Sequence, residues 1–338
     1  MNVSDFNYSQ YALVREMMDT ISVVKNFDPT RTIEVTKEIK STGKLFLTGE
    51  GSSRIFPAKN VIRKSLTWGM DVGIATDGSR QAAQYDLSKF AVFCASNSGR
   101  TKEVVLLAKK LAEQGNNQRY ALTANEGTLL EEACNKSFVL TCGWEEAVAA
   151  TKSVIEQALF YESILWNIDN QDRKTACADL SDKIKTALTM PIDKDIINKA
   201  INATTIYFAG YNDGVAEELT LKTNEITRKK SDFLEGTYAV HGIEEVMEQN
   251  DIVFVVDPIS AEIEKFQEVL VKGVGLTVVA IADHDTPFPT IRVPRAGELA
   301  QYVYLSAGWN VLVEIGLALG INLDKPERAR KVGNEIIS

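Results

Sequence analysis

Apolar side chains recur at helical spacing from about Tyr11 to Phe27, and Asp28-Pro29-Thr30-Arg31 interrupts them before a second helical stretch. This predicts a helical N-terminal arm. Short apolar runs then alternate with helical patterns: strands at Lys44–Thr48, Asp71–Ala75, Phe90–Ala95, Arg119–Thr123 and Lys136–Leu140, with a helix to about Trp68 after the first and another after Thr101. A long helix from about Glu145 to Asn167 closes this half. Such alternation argues an α/β fold in which a parallel sheet is covered on both faces.

The pattern repeats. Thr205-Ile206-Tyr207-Phe208-Ala209-Gly210 matches Lys44–Gly49, and Val253-Phe254-Val255-Val256-Asp257 matches Val92-Phe93-Cys94-Ala95-Ser96, both displaced by the same 161 residues. A shared offset is harder to obtain by chance than one similar strand. The intervening Asp169–Ala203 is charged, helical in pattern and broken at Met190-Pro191. The expected organisation is therefore an arm and first doubly wound domain over residues 1–168, a helical linker over 169–203, and a second domain with a C-terminal tail over 204–338.

The 338 residues suffice for two cores, and 45% hydrophobic with 25% charged residues is ordinary globular composition. The longest apolar runs have strand length, and the N-terminus has neither a basic nor an apolar signal region, so no membrane span and no secretory signal are expected. Cys94, Cys134, Cys142 and Cys177 show no paired spacing and read as reduced thiols of a cytoplasmic protein. With two histidines and no Cys/His cluster, no metal site and no cofactor are expected. A net charge of −9 without a basic stripe argues against nucleic acid. An anionic ligand would have to be held locally, by backbone N–H groups and helix ends.

Ser96-Asn97-Ser98-Gly99-Arg100-Thr101 offers such a place. It lies between a strand and a helix, and aims hydroxyls and backbone N–H groups where the positive end of the following helix points. Taken alone it also reads as an ordinary capped turn. In the second copy the same position is Asp257-Pro258-Ile259-Ser260, a carboxylate and a residue without N–H, so anion binding is expected in the first half only. His284, flanked by Asp283 and Asp285, reads as a solvated turn residue.

Gly51-Ser52-Ser53, the Ser96–Thr101 turn and Gly143-Trp144-Glu145-Glu146-Ala147-Val148-Ala149-Ala150-Thr151-Lys152 resemble, in order and spacing, the sugar isomerase (SIS) domain family. Among its members the chain is similar to the isomerase half of glucosamine-6-phosphate synthase and to related amino-sugar-phosphate isomerases, deaminases and deglycases. The resemblance covers nearly the whole chain and implies two flavodoxin-like domains in tandem. It implies that Gly51, Ser52, Ser53, Ser96, Asn97, Ser98 and Thr101 contact a hexose 6-phosphate, with Val148 lining the sugar.

The resemblance also assigns chemistry to the second half. Leu221-Lys222-Thr223-Asn224-Glu225-Ile226 matches the family helix bearing Lys and Glu three apart, His241 follows Glu225 at the family spacing, and Lys331 falls on the family's catalytic lysine. Glu225 would carry the proton between C1 and C2, His241 would assist ring opening from a neighbouring subunit of a homodimer, Lys222 would stabilise enediolate charge, and Lys331 would aid ring opening or form an imine. Helix geometry alone reads Glu225 as a surface carboxylate paired with Lys222. The family's Gly-Glu-x-x-His-Gly-Pro is here Thr237-Tyr238-Ala239-Val240-His241-Gly242-Ile243, Ala150 replaces a serine and Glu50 a cysteine. No glutaminase domain is expected ahead of the first half, which leaves a glutamine-independent phosphosugar isomerase or deaminase, with a fructosamine-6-phosphate deglycase and a catalytically silent sugar-phosphate sensor as alternatives.

Overall fold

The computed structural model describes residues 1–171 and 173–336. After helices α1 (Ala12–Lys25) and α2 (Ile33–Thr42), the first sheet is laid down as β1 (Lys44–Gly49), α3 (Ile55–Thr67), β2 (Gly73–Gly78), β3 (Ala91–Ala95), α4 (Lys102–Glu113), β4 (Arg119–Thr123), α5 (Leu129–Ala133), β5 (Lys136–Val139) and α6 (Lys152–Ile168). Helices α7 (Lys174–Thr189) and α8 (Lys194–Asn202) follow, separated at Met190–Asp193. The second sheet comes from β6 (Thr205–Gly210), α9 (Val215–Thr227), β7 (Lys230–Glu235), β8 (Ile252–Val256), α10 (Ile263–Phe266, running into a π-helical stretch Gln267–Val274), β9 (Thr277–Ala282), β10 (Thr290–Arg292) and α11 (Ala300–Ala318).

Both sheets are five-stranded and parallel, in the orders β2-β1-β3-β4-β5 and β7-β6-β8-β9-β10. They are one topology twice, the flavodoxin-like doubly wound order. The offset seen in the sequence carries β1 onto β6, β3 onto β8 and the start of α4 onto the start of α10. The inner strands β3, β4 and β8 are buried at every position, as expected of strands covered on both faces. The edge strand β2 is fully buried at none of its positions, and it lies two to three residues later than its apolar run suggests, because its register is set by pairing Asp77 with Thr48 and Gly78 with Gly49.

Two compact units divide the chain: residues 22–145, 150–178 and 330–338 gather round the first sheet, and residues 1–21, 146–149 and 179–329 round the second. Each sheet has a glycine at the end of its first strand. A Cβ on Gly49 would stand 2.8 Å from the Ser53 carbonyl oxygen and 2.9 Å from that of Ala95, and one on Gly210 would stand 3.1 Å from that of Val256. That close approach brings the loops after β1 and β3 together where the strand order reverses, the position at which open α/β sheets bind ligands. The expected helix from Glu145 begins only at Lys152, because the preceding segment is an irregular loop tied down by buried carboxylates.

Candidate functional site

In the first unit, β1 ends in a 3-10 turn, Gly51–Ser53, in which Gly51 takes φ +54 and Ser52 is buried. The Ser53 carbonyl accepts Gln157 Nε2 at 2.6 Å. After β3, Ser96 N–H donates to Leu122 O at 3.0 Å, and Ser96 Oγ lies 2.8 Å from Thr101 Oγ1. In such a hydroxyl pair one hydrogen is engaged between the oxygens and the other is left to donate. Ser98 Oγ accepts the Arg100 N–H at 3.2 Å, and Gly99, at φ +63, packs so tightly that a Cβ would lie 2.3 Å from Thr128 Cβ. Helix α4 therefore starts from a rigid turn. With the Thr101 hydroxyl paired to Ser96, no side chain caps this helix, so part of its first turn keeps N–H groups suited to an anion.

Asn97 is held from both ends. Its carbonyl oxygen accepts Ala124 N–H at 3.0 Å and Asn125 Nδ2 at 2.9 Å, while its own Nδ2 donates to Glu145 Oε2 at 2.9 Å and to Ser153 Oγ at 2.8 Å. Asn97 Oδ1 is buried without a partner among the described residues. Beside the turn, Glu50 Oε1 accepts the Ser79 N–H at 2.9 Å. Burial pushes its carboxyl above the ordinary 4.5, and the like charge of Glu103 adds to the effect.

The C-terminal tail belongs to this unit. Lys102 N–H donates to Asn334 O at 3.0 Å, Ile336 N–H to Arg100 O at 3.1 Å, Thr101 bridges Glu335, and Arg100 lies 3.3 Å from the Glu335 carboxylate. Lys331 places its ammonium 6.0 Å from the centroid of Trp144.

The second unit holds the other candidate groups. Gly308 lets α11 lie against α9, since a Cβ there would meet Leu219 Cδ2 at 2.3 Å. That packing encloses Lys222, whose Nζ is 2.8 Å from Glu225 Oε2 and 3.3 Å from Glu218 Oε1 with no side-chain exposure. Glu225 keeps 24% of its side-chain surface. The helix end that carries it is fixed by Arg228, at φ +56, which donates to Glu225 O at 2.6 Å and Asn322 O at 2.6 Å. His241 is exposed, in the loop after β7, with its backbone N–H on Tyr238 O. Val148 is half-buried; its N–H donates to Asp324 O at 3.1 Å, and the Asp324 carboxylate accepts Ala12 N–H at 2.9 Å and Leu13 N–H at 2.8 Å.

The second copy of the turn is different in kind. Asp257 takes φ +49 and accepts the Tyr304 hydroxyl at 3.4 Å; burial, then Asp257, pushes that phenol up. His284 is half-buried rather than solvated: Nδ1 lies 3.2 Å from Asp283 Oδ1, and Nε2 is buried without a partner among the described residues.

Sequence reasoning gave the buried carboxylates of the first unit no role, reading the helix that carries Glu156 simply as core. Glu145 has no exposed surface and accepts Thr151 N–H at 2.6 Å as well as Asn97. Glu156 accepts Thr141 N–H and Cys142 N–H, both at 2.7 Å, and Arg31 at 3.2 Å. Lys64 pairs with Glu162 at 2.6 Å between α3 and α6. The available signal was weak: polar positions inside otherwise apolar helical stretches. Among the described residues no group of His, Cys, Asp and Glu could hold a metal ion, and no helix is long and apolar enough to cross a membrane.

No protein-family model matches the chain, and no curated protein matches it in sequence. Solved structures do. The C-terminal domain of glucosamine-fructose-6-phosphate aminotransferase from Francisella tularensis superposes with a TM-score of 0.77 at 15% identity, over 94% of this chain and 98% of that one. Tagatose-6-phosphate ketose/aldose isomerase from Escherichia coli gives 0.76 at 18%, over 95% and 98%. Glucosamine-6-phosphate deaminase from Thermotoga maritima gives 0.71 at 19%, over 95% and 99%. The fold is thus that of tandem sugar isomerase domains, shared with phosphosugar enzymes across nearly the full length.

Proposed function

We propose that the protein is a phosphosugar isomerase or deaminase acting on a hexose 6-phosphate, with an amino sugar as the favoured substrate. The observation that carries this reading is the turn Ser96–Thr101: a hydroxyl pair with one hydrogen left to donate, at a helix start without a side-chain cap, where the strand order of the sheet reverses. The phosphate of the sugar is held there and by the Gly51-Ser52-Ser53 turn, with Val148 lining the sugar. His241 hands a proton to the ring oxygen as the sugar opens, Lys331 assists, and Glu225 takes the proton from one of C1 and C2 and returns it to the other. Lys222, being enclosed, acts through Glu225 by orienting its carboxylate and balancing its charge. The working unit is a cytoplasmic homodimer.

The test is turnover. The protein is incubated with glucosamine 6-phosphate, with fructose 6-phosphate plus ammonia, and with a fructosyl-amino-acid 6-phosphate, while ammonia and hexose phosphates are followed. Release of ammonia from the first supports the deaminase, amine release from the third supports a deglycase, and ligand-induced thermal stabilisation without turnover of any points to a sensor.

A further inference from the structure

Glu145 lies in the loop before α6 with no exposed surface. Oε1 accepts the Thr151 N–H at 2.6 Å and the Thr151 hydroxyl at 3.1 Å; Oε2 accepts the Ser153 hydroxyl and Asn97 Nδ2, the latter at 2.9 Å. Every neighbour in this set is a donor, so the group fits as a carboxylate, which only accepts. It also sits at the N-terminal end of a 17-residue helix, where negative charge is favoured.

An amide facing a carboxylate has one permitted orientation. Asn97 must turn its NH2 toward Glu145, and its second amide hydrogen goes to Ser153 Oγ at 2.8 Å. Oδ1 is then the atom turned away, and it is the acceptor left buried without a donor among the described residues. A buried acceptor without a partner calls for an explanation, and a donor arriving from outside the chain supplies one. The backbone of the same residue is fixed separately by Ala124 and Asn125. What Glu145 adds is the side-chain orientation, and through it the form of the turn between Ser96 and Ser98.

We infer that Glu145 is a positioning residue for anion binding: it fixes the Asn97 amide and so holds the 96–101 turn in its binding form without touching the ligand. This rests on the reading of that turn as the phosphate anchor. In Glu145→Gln an amide NH2 faces the NH2 of Asn97; in Asn97→Asp a carboxylate faces a carboxylate; in the double variant an acceptor and a donor face each other again with their places exchanged.

The experiment titrates inorganic phosphate and fructose 6-phosphate into the full chain and these variants by calorimetry, with thermal melts alongside. Each single variant should weaken binding by about tenfold, the scale of one charged hydrogen bond, and the double variant should bind more tightly than either single variant. Asn97→Ala, which leaves the Glu145–Thr151 contacts in place, should lose the same factor and keeps the test open if Glu145→Gln does not fold. Wild-type binding with unchanged affinity in Glu145→Gln or Asn97→Ala, or a double variant no better than its worse parent, overturns the inference alone. Failure of the wild type to bind either anion overturns the phosphate reading and this inference with it.

Discussion

Lys222 Nζ stands 2.8 Å from Glu225 Oε2, and the lysine has no side-chain exposure while the glutamate retains 24%. The ammonium is shared with Glu218 at 3.3 Å on the preceding turn. A buried cation between two carboxylates makes unequal demands on its members. Removing Lys222 leaves the buried Glu218 and the partly exposed Glu225 as neighbouring like charges, whereas removing the charge of Glu225 leaves a Lys222–Glu218 pair. Lys222→Met is therefore expected to lower unfolding free energy by about 3–5 kcal/mol, and Glu225→Gln by markedly less. Urea denaturation of both variants checks the order.

The hydroxyl pair of the anion turn predicts a binding effect with little cost in stability. Ser96→Ala and Thr101→Val each break the 2.8 Å contact and change the donor facing the anion. Each should weaken phosphate binding by about tenfold, read by calorimetry, while melting temperature moves by a few degrees at most.

Backbone crowding at the strand ends predicts an asymmetry between the repeats. A Cβ on Gly49 meets carbonyl oxygens at 2.8 and 2.9 Å, neither of which can move without shifting the Gly51–Ser53 turn or the end of β3, while on Gly210 the nearest atom is at 3.1 Å. Gly49→Ala should cost about 1–3 kcal/mol and abolish anion binding, and Gly210→Ala should cost less. Chemical denaturation with phosphate titration separates the two effects.

Glu50 predicts a pH dependence. Its carboxyl is raised by burial and by Glu103, so the folded protein holds that proton more tightly than the unfolded chain. Stability from this group is full below the ordinary 4.5 and is lost as pH rises through the raised value. Glu50→Gln should therefore melt higher relative to wild type at pH 7 than at pH 4, and should bind phosphate somewhat more tightly at pH 7. Melting curves across that range check the sign.

Much of the architecture was legible in the chain because of how parallel sheets bury their strands. The inner strands β1, β3, β6 and β8 stand out as apolar runs, and the matched pairs Gly49/Gly210 and Ser96/Asp257 carry the duplication in the sequence itself. β2 was misplaced because a half-exposed edge strand carries a weak apolar signal, and pairing with β1 fixed its register. The helix start near Glu145 was misread because the loop pattern suits a helix, while hydrogen bonds from distant residues hold it open. Docking of the tail against Arg100 and Lys102 is backbone pairing across more than two hundred residues, which no local pattern encodes. Glu145 itself stood in the Gly143–Lys152 stretch at the expected start of a helix, with nothing local to mark it as buried.

The most direct test of the account is the rate at which Glu225→Gln converts a hexose 6-phosphate that the wild type turns over, measured at saturating substrate with phosphate affinity determined on the same sample. Turnover should fall by at least about a hundredfold, the reach of one general acid–base group, with affinity for the sugar phosphate retained. Turnover at the wild-type rate would contradict the assignment of Glu225 as the group that moves the proton.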